Sequence, residues 1–366
     1  MVYQKPDLKV WTCIFIIWAA VMLGVFYFAG FDNVYLALKS VNYNFIGLAI
    51  LSFALSISMI AINLQFLISR LHARIRFRNT VQIVLTGQFI DNILPNIAPG
   101  GELTMAYLLH KREKVPFPKA FAAIALYMIS WFTSLIVLAV AVYGILLFTG
   151  MLPLEIAVLA AVALTVFLAA LVVLVRLVID KESAKKIIFR VINTAFALVF
   201  KFTRWRNKKA RCIDFVDNSI DSFIKTFGFY TKNKMILVVS FLNILMHHFF
   251  FALSFYFVLL AFGIKVPLIY GIGLSITIGI FSMITFIPGQ FGVYELVSIS
   301  LLSFSGGLVD AAIITVILRL LHYWSLIIAG GFFAVKFGFE ELMGALKVHK
   351  KLLRKGVLHK HEHRSR

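Results

Sequence analysis

Ile287-Pro288-Gly289-Gln290-Phe291-Gly292-Val293-Tyr294-Glu295 decides how this chain is read. It lies in an apolar run from Leu268 to Phe304 whose sole charge is Glu295. Proline lacks a backbone N–H, and glycine readily leaves helical geometry. Pro288-Gly289, with Gly292 close behind, should therefore stop one helix and let another start. Open backbone at membrane depth is tolerated only inside protein or beside a wet cavity, so the break should be internal. It puts Glu295 in the first turn of the second half-helix.

The same device occurs earlier, at Ile97-Ala98-Pro99-Gly100-Gly101-Glu102. Both copies have an apolar approach, Pro-Gly, a further glycine, and a glutamate opening a helical run. Paired interrupted segments in two halves of a chain point to a transporter binding site. The plainer alternative is two ordinary proline kinks in membrane helices.

Composition fixes the class. Of 366 residues, 61% are hydrophobic and 14% charged, with mean hydropathy +0.94. That excludes a soluble globular domain and indicates an all-α polytopic membrane protein. The net charge of +20 reads as topology and attraction to anionic lipid. No nucleic-acid partner is expected, because the basic residues are spread over several loops without a binding module. Cys13 and Cys212 suggest neither a disulfide nor a metal site.

Charge bookkeeping then orders the chain. Val10 to Ala29 makes a first span of the ~20 residues a bilayer core needs, retained rather than cleaved as a signal peptide. Phe45 to Ile68 makes a second and ends at Arg70, Arg74, Arg76 and Arg78, which the positive-inside rule places in the cytoplasm with the N-terminus. The stretch 81–109 holds the first break between two basic flanks, the second being Lys111, Arg112, Lys114 and Lys119. Both flanks should be cytoplasmic, so this stretch should be a re-entrant hairpin turning at Pro99-Gly100. Ala120 to Phe148 and Leu154 to Ile179 form the next spans.

The segment 180–234 is basic, and its apolar residues from Ile187 to Phe202 share one helical face, as in an interfacial helix. Met235 to Phe262 spans again. The stretch 268–304 has poorly charged flanks and should dip in from outside. Ala311 to Val335 returns, and the tail 337–366 is basic. The expected architecture is six full spans and two re-entrant Pro-Gly hairpins in an inverted repeat, 1–179 against 235–336. The protein should be a multi-pass cell-membrane protein with both termini cytoplasmic.

Pro99-Gly100-Gly101-Glu102 with Ala106-Tyr107-Leu108-Leu109, and Pro288 through Glu295, resemble motifs of the flippase-like transmembrane family related to the membrane region of lysylphosphatidylglycerol synthases. The resemblance runs from about Leu8 to Lys336. It implies a lipid-translocating or lipid-binding membrane unit. Met105 departs from it where an arginine is expected, and Gln290 where a third glycine is usual. No aminoacyl-transfer domain follows Val335, so lipid synthesis is not expected.

Ionisable groups inside a membrane are functional candidates by default. The candidate substrate site is Asp91, Asn96, Pro99, Gly100, Gly101, Glu102, Pro288, Gly289, Gln290, Gly292, Glu295 and Arg319. For Glu102 and Glu295 the structural alternative is helix capping. For Arg319, with His322 and Tyr323 beside it, the alternative is an ion pair with these carboxylates. Glu295→Gln is expected to abolish transport in a protein that still folds. His247 and His248, being adjacent, are expected to pack or lie at headgroup level rather than share a pocket, and Asn63 and Gln65 to bond across helices.

The leading function is a flippase for a lipid or lipid-linked carrier, with a coupling cation or proton a further partner. The alternative is a membrane enzyme acting on a lipid headgroup or polyprenyl phosphate. No zinc pair, diphosphate–magnesium motif, nucleophile–base set or Walker A motif is present, so no enzyme activity, metal or cofactor is expected.

Overall fold

The structure, a computed structural model, describes residues 35, 39–94, 100–150, parts of 161–176, 220–283 and 287–338. The first span (10–29), the interfacial helix (187–202) and the tail beyond 338 lie outside the described residues, as does most of 154–179.

All regular structure among the described residues is helical. Besides helical residues at 35, 39–40 and within 161–176, in chain order it comprises α1 (Tyr43–Ser69), α2 (Phe77–Ile93), α3 (Gly100–Glu113), α4 (Phe117–Phe148) and α5 (residues 220–232). There follow α6 (Lys234–Ala261), α7 (Leu268–Met283), α8 (Val293–Ser303) and α9 (Gly307–Gly338). Four of these, α1, α4, α6 and α9, have 27 to 32 residues and are apolar enough to cross a membrane. At about 1.5 Å per residue each exceeds the ~30 Å hydrocarbon core. α7 and α8 are apolar but shorter, with 16 and 11 residues, and neither spans that core alone.

Local sequence sets the ends. Asn42 caps α1 by accepting the Asn44 N–H at 3.1 Å, and Asn233 Oδ1 accepts from Met235 and Ile236 at the start of α6. Pro116 and Pro118 open α4, where missing N–H groups cost nothing. Gly307, at φ 84° and ψ 167°, separates α8 from α9. The outer faces are apolar: Ile328, Phe332 and Val335 of α9 are 65–73% exposed and lie on one stripe, as lipid-facing residues should.

The scaffold is the antiparallel pair α1 and α6. The Asn42 N–H bonds the Ala261 carbonyl, Phe45 stacks on Phe257, Phe53 meets Phe251, and Ser56 Oγ lies 2.7 Å from His247 Nδ1. Hydroxyl pairs tie the other helices in: Ser130–Ser240 joins α4 to α6, Tyr143–Thr277 joins α4 to α7, and Ser298–Thr315 joins α8 to α9. Lipid gives no hydrophobic drive for helices to associate, so such bonds and close packing hold the bundle.

The helices flanking each break also run antiparallel. Along α2 and α3, Asn79 Nδ2 bonds Glu113 Oε1 at 2.9 Å, Gly87 lies against Met105, and Asp91 reaches Gly101. α2 starts at Phe77 and α3 ends at Glu113, so both outrun the apolar stretch 81–109 by about a turn. α2 also packs tightly on α9. A Cβ on Gly330 would sit 2.2 Å from the Leu85 carbonyl oxygen, and one on Gly331 3.0 Å from Phe89.

Asn63 and Gln65 do not bond across helices. Gln65 Nε2 donates to the Ile75 carbonyl in the turn after its own helix, while Asn63 is sealed in the core with neither amide atom bonded.

Candidate functional site

The first break places acid. Gln88, Asp91 and Asn92 sit at i, i+3 and i+4 on α2 and share a face. Asp91 Oδ1 accepts the Gly101 N–H at 2.6 Å and so closes the start of α3. A Cβ on Gly101 would lie 2.1 Å from Asp91 Oδ2, so any larger residue there would displace the Asp91 carboxylate from this bond. Glu102, in the first turn of α3, brings its carboxyl within hydrogen-bonding range of Asp91's. A hydrogen bond between two carboxyl groups requires a proton on one of them. Asn96 and Pro99 lie outside the described residues, while Gly100 begins α3.

The second break places an ion pair. Pro288 opens a single 3-10 turn that runs to Gln290, and the chain passes through Gly289 at φ 62°, Gln290 at φ 58° and Gly292 at φ 82° before α8 begins. Glu295 Oε2 accepts the Gly292 N–H at 2.8 Å, which is the capping role. The same carboxylate takes Arg319 Nε at 2.6 Å and Nη2 at 3.3 Å, and Arg319 Nη2 also donates to the Gln290 carbonyl at 3.1 Å. Both side chains are 4% exposed. The guanidinium lies 4.1 Å from the Tyr294 ring centroid and 5.3 Å from those of Phe291 and Tyr323. Cation–π contact and a matched carboxylate together make a buried arginine tolerable. Arg319, His322 and Tyr323 all belong to a π-helical stretch, Arg319–Trp324, within α9. Such stretches recur at functional sites.

The two breaks meet on one cavity of about 720 Å³. Asp91, Asn92 and Glu102 line it from the first break; Gly289, Gln290, Tyr294 and Arg319 line it from the second. Glu295 stands behind Arg319 and is not part of the lining. Tyr323 joins the two breaks. Its hydroxyl donates to the Asn92 carbonyl at 3.5 Å and lies where a Cβ on Gly289 would come within 2.7 Å of it, and its ring packs edge-on against Phe291.

The opposite wall is aromatic and imidazole, and the sequence reading missed it. Tyr127 and Trp131 of α4 line it with His247, His248 and Phe251 of α6. His247 and His248 thus do face one pocket, contrary to expectation. Adjacent helical positions are only ~100° apart, and a cavity wide enough to wrap that arc takes both. His248 Nε2 donates to the Trp131 carbonyl at 3.2 Å, and His322 Nε2 lies 3.0 Å from Ser254 Oγ. Gln88 was also missed, although its spacing to Asp91 and Asn92 marks a polar stripe on an otherwise apolar helix. Among the described residues no cluster of three His, Cys, Asp or Glu has metal-binding geometry.

The charges do not balance. Arg319 is matched by Glu295, whereas Asp91 and Glu102 have no cationic partner among the described residues. The cavity therefore has a neutralised basic end, an acidic end, and apolar or aromatic walls.

Long apolar helices around a largely apolar cavity that holds a few charged and polar side chains make this a multi-pass membrane protein. The chain belongs to the lysylphosphatidylglycerol synthase TM region family, whose pattern matches residues 11–330. It is similar to two archaeal UPF0104 membrane proteins. One, from Methanothermobacter thermautotrophicus, is 25% identical over 298 residues, covering 80% of this chain and 82% of that protein. The other, from Methanocaldococcus jannaschii, is 31% identical over 113 residues, covering 31% of this chain and 34% of that protein.

Proposed function

We propose that this protein translocates a membrane lipid or lipid-linked carrier, its headgroup crossing through the cavity while the acyl or prenyl chains stay in the bilayer. The observation that carries this reading is that residues beside both Pro-Gly breaks, Asp91 and Glu102 at the first and Gly289, Gln290 and Arg319 at the second, line one 720 Å³ cavity with largely apolar walls. Half-helices whose N-termini point at a site between two repeats are the transporter device for holding a charged group away from water. In this reading 81–109 and 268–304 are re-entrant hairpins entering from opposite faces, and the halves form an inverted repeat. The uncompensated Asp91–Glu102 end favours a headgroup amine, a coupling cation or a proton. The protein then works as a carrier rather than an enzyme.

Two experiments bear on it. In reconstituted vesicles Asp91→Asn and Glu102→Gln are each expected to slow lipid translocation by about 10- to 100-fold, the worth of one charge-assisted hydrogen bond. Wild-type rates in both variants would remove the cavity from the transport path. For the topology, single cysteines at Arg74 and Lys114 are expected to label from the same face. The Asn79–Glu113 bond already holds those ends of α2 and α3 side by side. Labelling from opposite faces would turn this hairpin into a plain span.

A further inference from the structure

Among the described residues three non-glycine positions have left-handed backbone: His72 at φ 61°, Lys114 at φ 60° and Gln290 at φ 58°. The first two sit in the turns that follow α1 and α3. Gln290 alone lines the cavity. For an L-residue this conformation crowds Cβ against the backbone, and only glycine, Asn or Asp visits it readily.

Nothing in the turn asks for a side chain at 290. The Gln290 N–H donates to the Ile287 carbonyl at 2.9 Å, and its carbonyl accepts Arg319 Nη2, so its main-chain groups are satisfied. Gly289 and Gly292 take their positive φ values in the same turn without a Cβ. A glycine at 290 would do likewise. The Gln290 carboxamide forms no hydrogen bond with any described residue. Strain kept where no internal contact repays it marks a functional position.

We propose that Gln290 is the residue by which the cavity selects its ligand, its carboxamide hydrogen-bonding an uncharged polar group of the headgroup. This rests on the reading of the cavity as a lipid-headgroup site. The carboxamide has an acceptor oxygen and a donor NH2 and no charge, so it matches a hydroxyl or amide, which can donate and accept in turn. Charged parts of the headgroup fall to Arg319 Nη1, which has no partner among the described residues, and to the Asp91–Glu102 end. A site built around a hydrogen bond discriminates sharply against analogues that lack the partner group.

The test uses the full chain in detergent and in vesicles, with two lipids of equal charge: phosphatidylglycerol, which carries headgroup hydroxyls, and phosphatidylmethanol, which has none. Wild type is expected to gain more thermal protection from phosphatidylglycerol and to translocate it faster. Without lipid, Gln290→Gly is expected to melt within about 2 °C of wild type or above it. It should treat the two lipids alike, losing roughly a 10-fold preference. Gln290→Asn, whose amide tolerates the left-handed backbone but is one methylene shorter, should keep the stability and lose most of the preference.

Four results would overturn the proposal. A Gln290→Gly protein that keeps the wild-type preference frees the carboxamide of any role. A fall of 5 °C or more without lipid, against the ~2 °C expected, makes Gln290 part of the fold. Equal protection of wild type by both lipids removes the selection while leaving a lipid site. Protection of wild type by neither lipid sinks the lipid-site reading itself, and this inference with it.

Discussion

Glu295→Gln is expected to lower the apparent melting temperature by about 6–20 °C, taking ~3–5 kcal/mol for a broken buried pair and ~2–4 °C per kcal/mol. Both oxygens of this carboxylate are in use: Oε1 by Arg319 Nε, Oε2 by the Gly292 N–H and Arg319 Nη2. Glutamine keeps the size and one acceptor, so the cap survives in part. What disappears is the charge that makes Arg319 tolerable at 4% exposure. An orphan guanidinium beside three aromatic rings then draws in water or forces the turn at 288–292 to rearrange. The sequence alone argued for lost transport in a stable protein; the geometry shifts the expected loss to the fold. Thermal unfolding in detergent of Glu295→Gln, Arg319→Gln and the double variant forms a cycle. The double variant is expected to recover much of the loss. A single variant melting within about 2 °C of wild type would mean the pair is not buried in solution.

Gly330→Ala is the second large effect. The added methyl would lie 2.2 Å from the Leu85 carbonyl oxygen and 2.6 Å from Phe89 Cβ. Neither is the end of a flexible side chain, so α2 and α9 must separate as helices. Overpacking of this kind costs about 1–3 kcal/mol. The consequence for function is larger, because α2 carries Gln88, Asp91 and Asn92 into the cavity. A misplacement of about 1 Å in a positioned group costs on the order of 100-fold in rate. Gly330→Ala is therefore expected to lower the melting temperature by several degrees and to abolish measurable translocation. Alanine is the better helix former, so a loss of stability in Gly330→Ala would come from the clash and not from the helix itself. Wild-type transport by Gly330→Ala would show that the close approach of α2 and α9 does not set the position of Asp91.

Much of this was legible in the chain. Hydropathy found α1, α4, α6 and α9 because spans need length and apolarity, and both are written locally. The breaks were legible because proline and glycine act on their own backbone. The Glu295–Arg319 contact was one of two readings, and only three-dimensional proximity decides between them. The aromatic and histidine wall stayed hidden for a different reason. Tyr127, Trp131, Phe251 and the histidines look the same in sequence whether they face lipid, core or cavity. Asn63 shows the converse failure: a polar residue in a span invites a partner across the helix, and among the described residues it has none.

Tyr323 has a mechanical consequence. One side chain touches the carbonyl of Asn92 beside the first break and packs on Gly289 and Phe291 of the second. With the glycine contact of α9 on Leu85 and Phe89, this makes the two breaks parts of one lever rather than two gates. A shift of α9 at Tyr323 would reach the end of α2 at Asn92 through this ring. Under the proposed transport, the seam between this unit and the α4–α6 wall is where the cavity would open, with Phe251 packed on His322 and the Ser254–His322 hydrogen bond across it.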